Sequence, residues 1–293
     1  MRRSMLFLPG NSPNLLINGD VLGADAIILD LEDAVAPDEK DAARILVRSA
    51  LGALDFSHVE VIIRINSVED NGFWKLDLDE VIPLKPQCIL AAKARDAEYI
   101  RTVSAYMGEA EARHGIPQGT VKIIALVETA MGLENAFAIA VADPRVNAIL
   151  LGAEDLTADL RSARTKSGEE IAYARGRVIA AARAANIEVY DTPFTDVNDD
   201  EGIVADAKLA RTLGFSGKAA ISPRHVGVIN RVFSPTEDEV DYARRVLEAI
   251  EEAKARGKGA VSLFGKMIDA PIVLRAEQVL ALDAAIRGGM QNE

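Results

Sequence analysis

The feature that most constrains this chain is a series of eight short apolar runs, each followed by a stretch with helical periodicity. In order, the runs are SMLFLPG (4–10), AIILDLED (26–33), VEVIIRIN (59–66), CILAAKA (88–94), VKIIALVET (121–129), VNAILLGAED (146–155), IEVYDTPF (187–194) and GKAAISP (217–223). They are nearly continuous in apolar residues rather than alternating, which is typical of parallel strands buried on both faces. Eight strand–helix units in about 230 residues predict an α/β fold of the (β/α)8, or TIM-barrel, type.

An open, doubly wound parallel sheet is the alternative to a closed barrel, because it is built from the same strand–helix units. Its dinucleotide-binding form carries a GxGxxG turn after the first strand. No such turn follows residues 4–10. The sequence therefore favours the barrel.

The strand–helix period ends near Ser234. Residues 234–257 predict a charged helix, since a capping residue and several acids open the segment. Residues 258–271 form a Gly-containing, strand-like or loop segment, and a last helix follows. We therefore predict a (β/α)8 barrel catalytic domain at 1–233 and a C-terminal helical extension with a lid segment at 234–293.

Composition limits the classes of function. The chain has 33 Lys and Arg residues against 45 Asp and Glu, for a net charge of −12, and its pI is about 4.9. We therefore expect neither a nucleic-acid partner nor an anionic membrane. The apolar stretch MLFLPG is too short for a signal peptide or a spanning helix. The single cysteine, Cys88, excludes an intrachain disulfide, and a cytoplasmic enzyme fits best.

Polar and charged residues follow the apolar runs, at the strand ends where barrels of this kind carry their chemistry. They are Asp30, Glu32, Asp33, Arg64, Asn66, Lys93, Glu128, Glu154, Asp155, Asp191 and Ser222. A buried charge is costly unless it is paired or bound to a metal. Because the acids outnumber the two basic residues of this set, a bound divalent cation is the simple remedy.

The available ligands indicate which cation this is. Neither the three histidines nor the cysteine has a spacing suited to zinc. Carboxylate oxygens with room for water favour Mg²⁺, with Mn²⁺ as a substitute. Glu128 and Asp155 are the best pair of ligands, since they end neighbouring strands. The alternative is that these acids cap the following helices or pair with basic side chains.

Eight motifs together resemble one known family. In chain order they are RRSMLFLPGN, ILDLEDAV, RIN, ALVETAMGL, GAEDL, YARGRVIAAARAANIEVYD, GFSGKAAISPRHV and GKMIDAPIV. The ordered set is similar to the citrate lyase β-subunit family, the CoA-ester lyases of the HpcH/HpaI aldolase superfamily. The resemblance implies a (β/α)8 barrel, Mg²⁺, and cleavage or formation of a carbon–carbon bond in a 3-hydroxyacyl-CoA such as citryl-, malyl- or citramalyl-CoA. The products of cleavage would be acetyl-CoA or another acyl-CoA and a 2-oxo acid.

The resemblance also implies roles for individual residues. The residue matching Arg64 grips a substrate carboxylate, for which a planar guanidinium is well suited. The residues matching Glu128 and Asp155 bind the metal. Glu32 and Asp33 are expected to take part in catalysis by holding metal-bound waters or orienting Arg64.

In the resembling family, the acid matching Asp269 lies on a C-terminal lid, often over a neighbouring subunit's site. We therefore expect Asp269 to transfer a proton in a homo-oligomer, a trimer or a hexamer. CoA carries phosphates, so basic residues near the mouth are expected to bind it. Arg3 and Lys93 are the candidates, whereas Arg2 is expected to be a solvated charge.

Three alternatives stay open. A metal-dependent aldolase acting on 2-oxo acids without CoA would need a histidine base near the mouth, where the sequence places only His225. A malate-synthase-like enzyme or a thioesterase could use the same fold. A citrate lyase subunit that needs partner chains for turnover is the third alternative.

Overall fold

A computed structural model of the protein describes residues 1–69, 72–255, 261–263 and 266–290. The chain divides into two compact units, one of Arg2–Arg231 and one of Met1 with Val232–Glu293. The predicted division into domains at 1–233 and 234–293 stays a prediction.

Eight parallel strands close into a barrel in the first unit, in the order in which they follow along the chain. They are β1 (Ser4–Pro9), β2 (Ala26–Asp30), β3 (Glu60–Ile65), β4 (Cys88–Ala91), β5 (Lys122–Val127), β6 (Val146–Leu151), β7 (Glu188–Asp191) and β8 (Gly217–Ala220). Strand β1 pairs with both β2 and β8, which closes the ring. The structure confirms the (β/α)8 prediction and excludes the open sheet.

Helices alternate with the strands, as predicted. They are α1 (Pro13–Ile17), α2 (Lys40–Ala53), α3 (Phe73–Val81), α4 (Ala97–Arg113), α5 (Ala130–Glu134), α6 (Ala136–Ala140), α7 (Ala153–Asp159), α8 (Ala172–Ala184), α9 (Asp200–Leu213) and α10 (Pro223–Phe233). Short 3-10 helices span Gly19–Leu22, Pro37–Glu39, Ile82–Leu84 and Glu169–Ile171. Two helices follow β5 and two follow β6. The first after β6, α7, is short and begins only one residue beyond Gly152, so it lies directly at the strand end.

Alternate side chains of the strands fill the interior of the barrel. This cluster includes Met5, Ile28, Ile62, Leu90, Ile124, Leu126 and Leu150. Their neighbours along the strands, such as Ile27 and Ile63, point the other way and are also fully buried. Burial of both faces explains why the apolar runs are continuous, because each residue of a run leaves water on folding.

A partly buried arginine, Arg2, lies at the N-terminal end of the barrel, opposite to the strand ends that carry the predicted site. Nε and Nη2 of Arg2 donate to the Glu60 carboxylate at 2.7 and 2.6 Å. The guanidinium also lies 5.7 Å from the centre of the Tyr190 ring. The expectation that Arg2 is a solvated charge is therefore wrong, because its place before β1 brings it to Glu60 at the start of β3.

The second unit contains helices α11 (Glu237–Ala255) and α12 (Ala270–Met290). Strands β9 (Val261–Leu263) and β10 (Lys266–Ile268) pair as a two-stranded antiparallel sheet, which confirms strand structure in this segment. Ile268 packs with apolar residues of the two helices in a small core. Within the described residues, no helix is both long and apolar enough to cross a membrane.

The buried cysteine offers a test of the barrel. Cys88 begins β4 inside the ring, and burial raises the pKa of its thiol to about 11. Because the thiolate is the reactive form, the folded protein at pH 8 should react only very slowly with Ellman's reagent. Protein unfolded in guanidinium should react through its one thiol and release one equivalent of the reagent's coloured thiolate per chain, measured by absorbance. Prompt, stoichiometric reaction of the folded protein would contradict this position.

Candidate active site

A cavity of about 320 Å³ opens at the C-terminal ends of the barrel strands. Its wall includes four of the residues predicted for the site, namely Asp33, Arg64, Glu128 and Asp155. They come from four different strand ends, those of β2, β3, β5 and β6. The structure therefore brings together the predicted carboxylate clamp and the predicted metal ligands.

Arg64 is held by a two-pronged ion pair that sequence reasoning missed. Its Nε and Nη2 donate to the two oxygens of Asp30 at 2.7 and 2.6 Å. Its Nη1 lies 3.1 Å from Oε2 of Glu32, and the guanidinium stacks 5.2 Å from the centre of the Phe7 ring. Asp30 and Arg64 are direct partners in the β2–β3 register, which is the signal that could have identified the pair.

Asp30 also shapes the turn that follows β2. Its carboxylate accepts hydrogen bonds from the backbone N–H groups of Glu32 at 2.9 Å and of Ala34 at 3.2 Å. One buried carboxylate thus fixes both the direction of Arg64 and the backbone that carries Glu32 and Asp33. The guanidinium keeps further N–H groups on Nη1 and Nη2, and it forms part of the cavity wall.

Glu32 and Asp33 are adjacent but have different environments. Glu32 is buried, and burial raises its pKa to about 7 although Arg64 opposes the shift. The side chain of Asp33 is 51% exposed. Its partial burial would raise its pKa, but a hydrogen bond with Glu32 and the charges of Arg64 and Lys93 lower the pKa below its ordinary value. Near neutral pH, Asp33 is therefore the more fully ionised member of the pair.

Lys93 bridges two acids. Its Nζ donates to Oε1 of Glu32 at 2.6 Å, and its backbone N–H donates to Oε1 of Glu128 at 2.7 Å. Its backbone has a φ of 54°, a left-handed conformation that is uncommon for a residue with a side chain. The structure thus gives its ammonium group a partner at the site itself, and the predicted contact of Lys93 with CoA stays a prediction.

Glu128 is the most constrained acid of the site. It is only 2% exposed, and burial raises its pKa well above the usual range. Arg64 opposes this shift, whereas the carboxylates of Asp155 and Glu32 add to it. Its side chain lies against the backbone of Gly152, where an added Cβ would lie 2.6 Å from Cβ and 2.7 Å from Oε2 of Glu128. Residue 152 must therefore be glycine for Glu128 to occupy this position.

Glu128 and Asp155 fit the requirements of a hard divalent cation. Both supply carboxylate oxygens to one cavity, and in the described part of the chain no basic side chain forms an ion pair with either. Across the same residues, no group of three or more His, Cys, Asp and Glu side chains is arranged as a metal site. A cation here would take its further ligands from water or substrate, which is the usual coordination of Mg²⁺ in proteins.

Two predicted positions need correction. Arg3 does not lie near the mouth, because it precedes β1 and binds Asp25, which precedes β2, through Nε at 2.8 Å and Nη2 at 2.7 Å. These contacts lie at the starts of the strands, whereas the cavity lies at their ends. Asp191 ends β7 but does not join the other acids, since its carboxylate binds Arg175 and Lys218.

The other predicted positions differ in what the structure shows. Asp269 belongs to the second unit, where it precedes α12 and its Oδ1 accepts the N–H of Ile272 at 3.3 Å. It is exposed, and its role in proton transfer stays a prediction. His225 is only 1% exposed, lies beside Phe194, and its ring nitrogens have no hydrogen-bond partner among the residues that the structure describes. The ring is not part of the cavity wall.

Comparison with known proteins gives consistent matches. The family model for HpcH/HpaI aldolase/citrate lyase matches residues 3–223. The citrate lyase subunit beta of Leuconostoc mesenteroides subsp. cremoris is 42% identical over 282 residues, which cover 96% of this chain and 93% of that protein. The (3S)-malyl-CoA thioesterase of Cereibacter sphaeroides is 34% identical over 284 residues, which cover 97% and 95% of the two chains.

A solved structure also matches most of the chain. It is that of CitE from Mycobacterium tuberculosis in complex with magnesium, acetoacetate and coenzyme A. The sequence identity is 28% and the TM-score is 0.78, with 97% of this chain and 98% of that one covered. These matches confirm the resemblance carried by the sequence motifs, and the chain belongs to the HpcH/HpaI aldolase/citrate lyase family.

Proposed function

We propose that this protein is a Mg²⁺-dependent CoA-ester lyase. Its reaction would cleave or form a carbon–carbon bond in a 3-hydroxyacyl-CoA, with acetyl-CoA or another acyl-CoA and a 2-oxo acid on the other side of the equilibrium. The observation that carries the proposal is the way in which charges pair around the cavity. Arg64 pairs with Asp30 and Lys93 pairs with Glu32, so Glu128 and Asp155 are left without a basic side chain in contact within the described residues.

Known relatives support the same chemistry. The related proteins are a citrate lyase subunit and a malyl-CoA thioesterase, and the similar CitE structure contains magnesium, acetoacetate and coenzyme A. All three names involve either a CoA ester or a small acid. The carboxylate pair and the arginine of this chain supply one group for the metal and one for the acid.

Each residue has a defined task in the proposed reaction. Glu128 and Asp155 would hold Mg²⁺, which supplies a Lewis acid for the hydroxyl oxygen of the substrate. Arg64, fixed in direction by Asp30, would bind the carboxylate of the 2-oxo acid through its remaining N–H groups. Because Asp30 neutralises and orients it beforehand, Arg64 needs little rearrangement when the substrate arrives.

The proton balance assigns two further tasks. During cleavage the substrate hydroxyl would pass its proton to a water of the site, the carbon–carbon bond would break, and the departing thioester enolate would take up a proton at carbon. We propose that Asp269 supplies this last proton and removes it in the reverse direction. Glu32 and Asp33 would order water and keep Arg64 in place, since Glu32 contacts its Nη1.

The alternatives differ in observable ways. A CoA-independent aldolase with a histidine base is disfavoured, because His225 is buried away from the cavity wall. A thioesterase would release free CoA and an intact hydroxy acid rather than an acyl-CoA and a 2-oxo acid. A subunit that depends on partner chains would be inactive when purified alone.

The central test is a panel of citryl-, malyl-, citramalyl- and methylmalyl-CoA, incubated with the purified chain and Mg²⁺. Mass spectrometry of the CoA products should show a shorter acyl-CoA for at least one ester. Asp155→Asn should lower this activity by orders of magnitude, because a metal ligand is lost. The exposed Asp55, on the loop before β3, gives a matched control, and Asp55→Asn should behave as wild type. Full activity after EDTA treatment would contradict the proposal.

Glu128 allows function to be separated from folding. A carboxyl group whose pKa is raised in the folded state destabilises that state above its unfolded pKa of about 4.3, so the cost is present at pH 7.5. Glu128→Gln removes the charge and keeps the shape. The metal-free variant should therefore melt at or above the wild-type temperature, yet lose the rise in melting temperature that Mg²⁺ gives the wild type. An unchanged response to Mg²⁺ would exclude Glu128 as a ligand.

Asp269 and the oligomer are tested together. We propose a homotrimer or hexamer in which Asp269 acts on a neighbouring subunit's site. The oligomeric state is measured first, by light scattering. Asp269→Asn keeps a good helix cap for α12 but removes the acid, so it should fold and bind Mg²⁺ yet lose turnover. Mixed with Arg64→Ala under conditions of subunit exchange, it should regain part of the activity. A fully active monomer, or no recovery after verified exchange, would contradict the trans arrangement.

A further inference from the structure

We propose that Thr192 is a positioning residue that holds the metal-binding turn of α7 in place. The inference rests on the proposed function, because it concerns how Asp155 is presented to the metal. Thr192 directly follows β7, is only 1% exposed and forms part of the cavity wall. It belongs neither to the predicted ligands nor to the carboxylate clamp.

The first turn of α7 has a capping problem that arises from Glu128. Residue 152, which precedes the helix, must be glycine because any Cβ there would collide with Glu128. Helices usually satisfy a free N–H group of the first turn with a Ser, Thr, Asp or Asn side chain at this cap position. Gly152 has no side chain to do so, and no side-chain cap is formed from its position.

Thr192, at the neighbouring strand end, supplies an acceptor for a different N–H group of the same turn. The backbone N–H of Ala153, the first residue of α7, donates to Oγ1 of Thr192 at 3.1 Å. On the other side, the N–H of Gly152 donates to the carbonyl of Val127 at 3.0 Å. The two residues that lead into Glu154 and Asp155 are therefore held from both neighbouring strands.

Thr192 itself is anchored by a buried charge network outside the cavity. Its carbonyl accepts a hydrogen bond from Nζ of Lys218 at 2.6 Å, and Lys218 is fully buried. The same ammonium contacts Asp191 at 2.7 Å and Asp206 at 2.5 Å. Arg175 binds both of these acids, at 2.8 and 2.6 Å. The network holds the backbone of Thr192 in place through the carbonyl. Because it contains two basic and two acidic groups, it adds no net charge beside the proposed metal ligands.

The hydroxyl oxygen of Thr192 is the atom on which the proposal depends. Thr192→Val keeps the branched shape but removes the acceptor, whereas Thr192→Ser keeps the oxygen. If the hydrogen bond sets the position of Asp155, only the valine variant should bind metal poorly. Groups that orient metal ligands typically change metal affinity by about 10–100-fold when they are removed.

The experiment is titration of the metal-free protein with Mn²⁺ and Mg²⁺ by calorimetry, together with the melting temperature of each variant. Thr192→Val should weaken metal binding by roughly tenfold or more, and Thr192→Ser should stay close to wild type. Asp199→Ala is the matched control, because Asp199 caps α9 by accepting the N–H of Gly202 at 2.9 Å. It should lower the melting temperature and leave metal affinity unchanged.

The outcomes separate this inference from the proposed function. If wild type binds metal and Asp155→Asn does not, but Thr192→Val binds as wild type, the positioning role is overturned and the metal site stands. If wild type itself binds neither Mn²⁺ nor Mg²⁺, both proposals are overturned. Should Thr192→Val fail to fold, Thr192→Ala takes its place. It should show the same loss of metal affinity, and wild-type affinity would again overturn the positioning role.

Discussion

A buried carboxylate at the end of a closed barrel is the constraint on which the rest of the site depends. Glu128 is almost completely inaccessible to water, and this burial raises its pKa well above the usual range although Arg64 opposes the shift. Burying an unpaired charge costs several kcal/mol, so such a group persists where a function requires it. The neighbouring strand accommodates it by placing Gly152 against its side chain. Gly152 offers no capping side chain, and the N–H of the next residue, Ala153, donates to Thr192.

The basic residues of the site are distributed so that this acid stays unpaired. Arg64 is drawn to Asp30 by a fork of two short hydrogen bonds, and Lys93 is drawn to Glu32. The first pair joins the neighbouring strands β2 and β3, whereas the second joins the segments that follow β2 and β4. The pairing offsets the charges of Asp30 and Glu32 and leaves Glu128 without a basic side chain in contact among the described residues. Selective pairing, rather than a general excess of acids, is what sets the proposed metal position apart.

The sequence predicts the fold well because both faces of every barrel strand are buried. Continuous apolar runs are the direct result of that burial, and their number and spacing are enough to indicate eight strand–helix units. The rule that active-site residues lie at the C-terminal strand ends then places Arg64, Glu128 and Asp155 in one cavity, as the structure shows. These successes need only the order of the strands.

The details that the sequence did not predict depend on the direction and register of side chains. Asp191 ends a strand, yet it points away from the cavity towards Arg175 and Lys218. Arg3 is close to a strand in sequence but lies at its start, the end away from the cavity. The hydrogen bond from Ala153 to Thr192 joins positions 39 residues apart, and no local pattern reveals it. Such contacts become visible only when neighbouring strands are aligned.

The geometry of Arg64 shows why this position requires arginine. Two of its nitrogens bind Asp30 in a planar fork, a third reaches Glu32, and the side chain still forms part of the cavity wall. A lysine ammonium is a compact point charge with three donors. It has no planar edges with which to bind one carboxylate while it presents further donors to a second carboxylate. It could neutralise Asp30 or bind a substrate acid, but it could not do both in fixed directions. The planar guanidinium is therefore what joins the scaffold of the barrel to the substrate carboxylate in the proposed reaction.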